Sequence, residues 1–252
     1  MEHKKSRVRA QFGRQAGAYA RSESHARDRD LSLLIEHLQL QPADRALDVA
    51  TGTGFTAFAL QPRVRTVIAM DLTDRMLQEA RRLASGRGGI TWVEGDAEAL
   101  PFRAAVFTVV ACRRAPHHFP HIDRAVAEML RVLEPGGRLG IVDQVPPDDE
   151  AGHQLMETLE VLRDGSHVRA LPPSEWKALL TRHGFQPTFV EIVERRQTVE
   201  TWLELAGPDD AVRRRVSTLL ADAPRVALEH IGYEDNPPSF LKRWVVVVAT
   251  PP

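Results

Sequence analysis

Short apolar runs alternate with helix-length amphipathic stretches through the first 144 positions of the chain. The runs fall at 46–50, 66–70, 90–94, 106–111 and 138–143. Each is brief and ends in small or acidic residues, which predicts buried strands. Between them, 55–60, 74–84 and 122–133 repeat apolar residues at helical spacing. Such alternation predicts an α/β fold, a parallel sheet joined by right-handed crossovers. Upstream, residues 8–40 read as helical, with Phe12, Ala16 and Tyr19 on one face. Asp30 or Ser32 can cap a second helix that carries Leu33, Leu34, Ile35, Leu38 and Leu40. Pro135-Gly136-Gly137 is a turn delivering the chain into the fifth strand. After Asp143 the pattern changes. A helix spans about 150–163, and another is opened by Pro172-Pro173-Ser174-Glu175 and stopped by Gly184. A sixth strand follows at 187–194, then helices over 198–230 broken at Gly207-Pro208 and Pro224. The run WVVVVAT, 244–250, is a last buried strand. No repeat or low-complexity linker divides the chain.

The chemistry concentrates where strands end. In ALDVATGTGFTA, residues 46–57, a strand feeds a glycine turn and then a helix start, leaving backbone N–H groups to face a ligand. Nicotinamide and flavin enzymes use nearly the same turn, so its surroundings must discriminate. Asp48 sits inside the strand before the turn, where a pyrophosphate would gain nothing from it. Asp71, at the tip of the second strand, suits two ribose hydroxyls. Asp96, after the third, suits an adenine amino group, with the Ala97 amide donating to a ring nitrogen. Three strand-end acids favour cationic S-adenosylmethionine over NAD.

The stretches LDVATGTG, VIAMDLTDRML, VEGDAEALPF, FTVVACRRAPHHF and MLRVLEPGGRLGIVD occur in that order across roughly 44–144. Here the chain resembles the class I S-adenosylmethionine-dependent methyltransferases, most closely the ubiquinone/menaquinone type and related small-molecule enzymes. LRDGSHVRALPPSEWKALLTRHGF and the later Trp202-Leu203 extend the likeness to the bacterial YcgJ-like branch. Ala50 departs from the pattern, standing where many relatives carry the first glycine of the loop.

The resemblance implies a single domain over 1–252, with a doubly wound, seven-stranded Rossmann-like sheet whose last strand, 241–250, is antiparallel. It implies a cofactor-binding core over 41–144 and helical lid segments at 1–40, 145–186 and 198–238. Asp48, Ala50, Thr51, Gly52 and Gly54 are expected at the amino-acid end of the cofactor. Asp71, Leu72, Met76, Asp96, Ala97, Glu98, Cys112 and Arg113 complete the expected cofactor set. The product would be S-adenosylhomocysteine, and the acceptor a small molecule methylated on O, N or activated C.

Composition narrows the class further. Lys+Arg 33 against Asp+Glu 34 leaves no global field for nucleic acid. The basic start, His3 to Arg9, reads as a solvated tail. No apolar run reaches the roughly 20 residues that span a bilayer, and no signal peptide is evident. The single Cys112 suits a reducing cytoplasm. A monomer or homodimer is expected.

The fourth strand delivers Cys112-Arg113-Arg114-Ala115-Pro116-His117-His118-Phe119 to the same edge. His117 and His118 are candidate general bases, since imidazole titrates near neutral pH; both can equally pack or cap the next helix. His117 is favoured by analogy with relatives whose residue there faces the cofactor. Adjacent histidines on an extended segment point apart, so no metal site is expected. Arg113 and Arg169 suit a substrate carboxylate or phosphate, or a lid-to-core ion pair. Ser166-His167-Val168-Arg169 falls in a lid loop, and His167 joins the candidate substrate residues. Phe12 and Tyr19 either close over cofactor and acceptor or pack in the core. Quinone-ring C-methylation and a non-catalytic S-adenosylmethionine-binding protein are the alternatives.

Overall fold

Residues 2–251 are described by a computed structural model, in which the apolar runs pair into one sheet. Strands β1 (Arg45–Val49), β2 (Thr66–Asp71), β3 (Ile90–Glu94), β4 (Phe107–Arg113) and β5 (Leu133–Gln144) are all parallel. The remaining strands are β6 (Gln186–Thr198), the two-residue β7 (Glu234–Asp235) and β8 (Pro238–Thr250). The order is β3-β2-β1-β4-β5-β8-β6, with β8 antiparallel to both neighbours and β7 paired to its start. The antiparallel strand is therefore where it was expected, but eighth along the chain because β7 precedes it. Order reverses between β1 and β4, so ligands should gather at the carboxyl edge there.

Helices α1 (Glu2–Ala20), α2 (Glu23–Arg27) and α3 (Arg29–His37) precede the sheet. Then come α4 (Phe55–Leu60), α5 (Asp74–Leu83) and α6 (Ile122–Val132). After β5 follow α7 (Glu150–Arg163) and α8 (Pro173–Arg182), and after β6, α9 (Val199–Ala206), α10 (Asp210–Asp222) and α11 (Arg225–His230). The breaks in the last three follow the residues. Gly207 takes a left-handed φ of 61°, Asp209 caps α10 by accepting from Val212 N at 2.9 Å, and Pro224 stands before α11.

Alternate strand residues feed opposite cores, as the pleat requires. Leu47, Val49, Val110 and Ile141 pack with α6 and α8, whereas Ala46, Val67, Val109 and Val246 pack with α3 and α4. Each fully buried aliphatic side chain contributes about 1.5–3 kcal/mol. Gly140 lets α3 press onto β5, since a Cβ there would lie 2.5 Å from Leu34 Cδ1. A third cluster joins α7 to α9–α11 through Leu159, Trp202, Val216 and Phe240.

Several boundaries differ from those read in the sequence. Residues 8–40 form three helices rather than two, and Asp28, not Asp30 or Ser32, occupies the N-cap of α3. Asp30 is instead buried and consumed by two arginines. β5 begins five residues early, because Leu133 pairs with Phe107 before Pro135-Gly136-Gly137 bulge out and pairing resumes at Arg138. β6 runs on to Thr198 along the equally long β8. Among the described residues no helix is long and apolar enough to cross a membrane.

Candidate active site

The glycine turn after β1 is built by its own backbone. Ala50 takes a φ of 55°, so it adopts the left-handed conformation in which glycine is at ease and alanine is strained by about 1–2 kcal/mol. Gly54, with φ 92°, is required sterically as well, since a Cβ would meet the Trp92 ring at 2.8 Å. Asp48 lies beneath the turn. It accepts from Thr51 Oγ1 at 2.5 Å and from the Ala57 backbone, and burial pushes its carboxyl up to about 7. Asp71 ties the turn to β2: Gly52 N donates to its Oδ2 at 2.8 Å, and Thr73 N to its Oδ1 at 2.9 Å. Burial raises it to about 6.

A cavity of about 950 Å³, counted to its open mouth, runs along this edge. Ala50, Thr51, Gly52, Asp71, Leu72, Met76, Asp96, Ala97, Glu98 and Arg113 all line it. Phe12 and Tyr19 line it from α1, their rings 5.5 Å apart, and the Phe12 ring meets His118 edge-on at 4.8 Å. Lys5 was not foreseen there. Its side chain is only 15% exposed, and its ammonium lies 2.5 Å from Asp96 and 2.7 Å from Glu98. The basic start is therefore helical rather than a tail: Lys5 and Val8 join the cavity wall, because two strand-end acids offer Lys5 a partner, while His3, Lys4, Arg7 and Arg9 stay exposed to solvent.

Asp48 and Gly54 shape the turn without lining the cavity, and three further expected residues stand elsewhere. Cys112 is fully buried in the core, its thiol raised well above the ordinary range by burial. Arg169 lies outside the cavity, paired through both guanidinium nitrogens with Glu175 at 2.8 and 2.6 Å. Exposure of both partners leaves that pair weak. His167 is buried behind the edge, near Gln144 at 3.3 Å and Glu157 at 3.1 Å. Arg113 reaches the cavity but is spent on Asp30, at 2.8 and 3.2 Å, and on His25 O at 2.9 Å. It is the lid-to-core ion pair of the two readings.

A second cavity adjoins the first, and Tyr19, His25, Arg114 and His118 line both. His117, on a 3-10 turn at Pro116–His118, opens into the second. Its Nδ1 lies 2.5 Å from Asp143 Oδ1 on β5. Burial lowers His117 well below the usual imidazole range and pushes Asp143 up to about 8. Below that pH the pair is neutral: the carboxyl keeps its proton and faces Nδ1, and Nε2 carries the imidazole proton. Above it the carboxylate accepts from Nδ1–H, and Nε2 is a bare acceptor.

His118 differs. The Ser166 hydroxyl donates to Asp164 at 2.5 Å, so His118 Nδ1 satisfies Ser166 by donating to its oxygens at 3.2 Å. That leaves Nε2 unprotonated, and burial lowers His118 to about 3, in the same direction as His117 but with no carboxylate partner on its ring. Despite three neighbouring histidines, no group of three or more ligands among the described residues is set for a metal. Reasoning from the sequence missed Lys5, His25, Arg114 and Lys242. The polar residues interrupting apolar β8 were the available signal for Lys242.

A mixed sheet with a glycine turn and acids at its carboxyl edge defines a Rossmann-like nucleotide-binding enzyme. The model of a methyltransferase domain family matches residues 47–141. YcgJ of Bacillus subtilis, an uncharacterized methyltransferase, is 32% identical over 242 residues, 94% of this chain and 96% of its own. Its crystal structure superposes with a TM-score of 0.84 at 29% identity, over 88% of this chain and 97% of that one. A Bacillus halodurans protein of known structure, 33% identical, gives 0.85 over 89% of this chain and 100% of its own. The demethylmenaquinone methyltransferase of Thermus thermophilus is 41% identical over 106 residues, 41% of this chain and 48% of that one. The chain belongs to the class I S-adenosylmethionine-dependent methyltransferases.

Proposed function

We propose that the chain methylates a small molecule held in the second cavity, with the cofactor in the first and His117 as base. The observation that carries this is the junction: two cavities share Tyr19, His25, Arg114 and His118, and the His117–Asp143 pair lies beside it. The residues present fit the cofactor. Carboxylates line the edge where ribose and adenine hydroxyl and amino donors would come, and Leu72, Met76 and Phe119 supply apolar wall. Asp71 would take the ribose, Asp96 and Ala97 the adenine, and the turn Ala50–Gly52 the amino-acid end. S-adenosylmethionine supplies an electrophilic methyl group on a sulfonium.

Little covalent help is needed from the protein. Holding the acceptor in line with the methyl is worth about 7–11 kcal/mol in favourable cases. His117 Nε2 takes the acceptor's proton as the new bond forms, and Asp143 holds Nδ1–H and stabilises the imidazolium. His118 has only the Ser166 oxygens on its Nδ1 and no carboxylate to stabilise an imidazolium, so it serves to shape the junction. Quinone-ring methylation is the lesser reading, because a prenyl tail would strand the charged groups of the second cavity.

Thermal denaturation tests the cofactor. S-adenosylhomocysteine at about a hundredfold over its Kd should stabilise by roughly 2.7 kcal/mol, and NAD should leave the melting temperature unchanged. A shift with NAD and none with S-adenosylhomocysteine would falsify the reading.

A further inference from the structure

The wall of the second cavity is cationic. Arg21, Arg114, Arg163, Arg195, Arg196 and Lys242 line it, against Glu23 and Glu204. Deep in this wall, positive charge outnumbers its counter-ions. Arg114 pairs with Asp28 and Asp30, both at 2.7 Å, and Arg195 shares Asp28 at 3.3 Å. Arg113, behind them, shares Asp30. Arg163 and Lys242 both rely on Glu160. Five cations thus divide three carboxylates. Asp164, the next acid near Arg163, is already engaged by the backbone N–H and the hydroxyl of Ser166. The Nε–H groups of Arg163 and Arg195 are buried without a hydrogen-bond partner, and the other acceptors of this wall are neutral: Arg114 donates to Ser24 O, Arg163 to Trp202 O, Arg195 to Gln197 Oε1 and Lys242 to Gln144 Oε1.

The guanidinium groups are also held in place. Arg114 and Arg195 lie over the Trp244 ring, at 4.4 and 5.6 Å, and Arg163 over Trp202 at 4.8 Å. Stacked in this way, planar forks lose little further entropy on binding an oxyanion. An uncharged or apolar acceptor would desolvate these cations without compensation, which is costly. A ligand oxyanion would balance this surplus of positive charge and add charge-assisted hydrogen bonds.

We propose that the second cavity recognises an anionic acceptor, a phosphate- or carboxylate-bearing small molecule whose oxyanion is held by Arg114, Arg163, Arg195 and Lys242. This rests on the methyltransferase reading above. It deepens that reading by naming the acceptor's charge and the residues that select it.

The test is calorimetric titration of the protein saturated with S-adenosylhomocysteine, using inorganic phosphate in one arm and sodium acetate in the other. Arg163→Gln and Arg195→Gln should each weaken the bound anion by about tenfold or more, the range for losing a charged hydrogen bond. Thr201→Glu serves as a variant expected to fold. Thr201 is exposed, lines the cavity and stands three residues after the Thr198 cap of α9, a position where glutamate favours a helix start. Its added negative charge should likewise weaken anion binding. Phosphate alone binding assigns a phosphate ester, and acetate binding equally well assigns a carboxylate. Absence of anion binding, or an affinity unchanged in all three variants, overturns the proposal and leaves an adventitious ion only. Failure of S-adenosylhomocysteine to bind would instead remove the cofactor reading, and the anion titration of the protein alone would still report on the cavity.

Discussion

At the scale of single residues, the proposed base draws its pH dependence from the His117–Asp143 contact. A free imidazole would be half deprotonated near pH 6.5. Here burial raises Asp143 to about 8 and keeps His117 neutral far into acid, so the proton that blocks Nε2 leaves the pair only near pH 8. Turnover should therefore rise with pH through about 8, not through 6.5. Asp143→Asn should erase that limb: an amide can donate to Nδ1, which forces the proton onto Nε2 at every pH. His117→Ala and Asp143→Asn should each lower turnover by about 10²–10⁴-fold and leave S-adenosylhomocysteine affinity near wild type. A pH–rate profile of Asp143→Asn that superposes on wild type would make His117 a packing residue. Imidazole as a base was legible from residue type alone. Its partner was not, because Asp143 lies 26 residues away on a neighbouring strand. Only the parallel register of β4 and β5, Arg113 opposite Val142, brings the two together.

Among the elements, α1 has the most consequence for the site. Its start is basic, yet Lys5, Phe12 and Tyr19 line the first cavity. The Lys5 contacts to Asp96 and Glu98 fasten the helix start to the end of β3. Lys5→Ala should loosen α1 without unfolding the sheet, since a partly exposed pair contributes at most about 1 kcal/mol to the whole. Chymotrypsin should then cut at Phe12 or Tyr19 several times faster while the melting temperature stays close to wild type. Equal cleavage of variant and parent would mean that aromatic packing alone holds the helix. Strands and crossover helices were legible because their apolar periods are long and unbroken, as in FTVVACR and WVVVVAT. The seat of α1 was half legible: Phe12 and Tyr19 over the site were one of two readings, but Lys5 was missed, because its partners are a pair of acids 91 and 93 positions further along the chain. Arg113 and Arg169 show the same limit: equally apt for an anion by type, one is buried on Asp30 and the other spent at the surface on Glu175.

For the molecule as a whole, a net charge of -1 conceals a separation of charge. Acids gather along the first cavity and cations along the second, and burying both alters how the fold responds to pH. Asp48 and Asp143 have folded values of about 7 and 8, far above an unfolded aspartate. In that range the native protein holds protons that the unfolded chain has released since about pH 4, so stability is lost as pH rises towards the folded values. The buried histidines act in the opposite sense. His25, His117 and His118 are all lowered, so they cost stability only as pH falls below about 6.5, where the unfolded imidazoles protonate. Between pH 6.5 and 8 the folded histidines are neutral and the unfolded ones lose the last of their protons, so their opposing effect fades and the carboxyls dominate. The unfolding free energy should therefore fall across that window, by something on the order of 1–2 kcal/mol. Denaturant melts at pH 6.5, 7.2 and 8.0 would measure it, and Asp143→Asn should flatten the slope by removing one of the two groups. Stability that climbs with pH over the same interval would mean that these two carboxyls are already ionised in the folded protein, and with that the turnover limb near pH 8 would lose its physical basis.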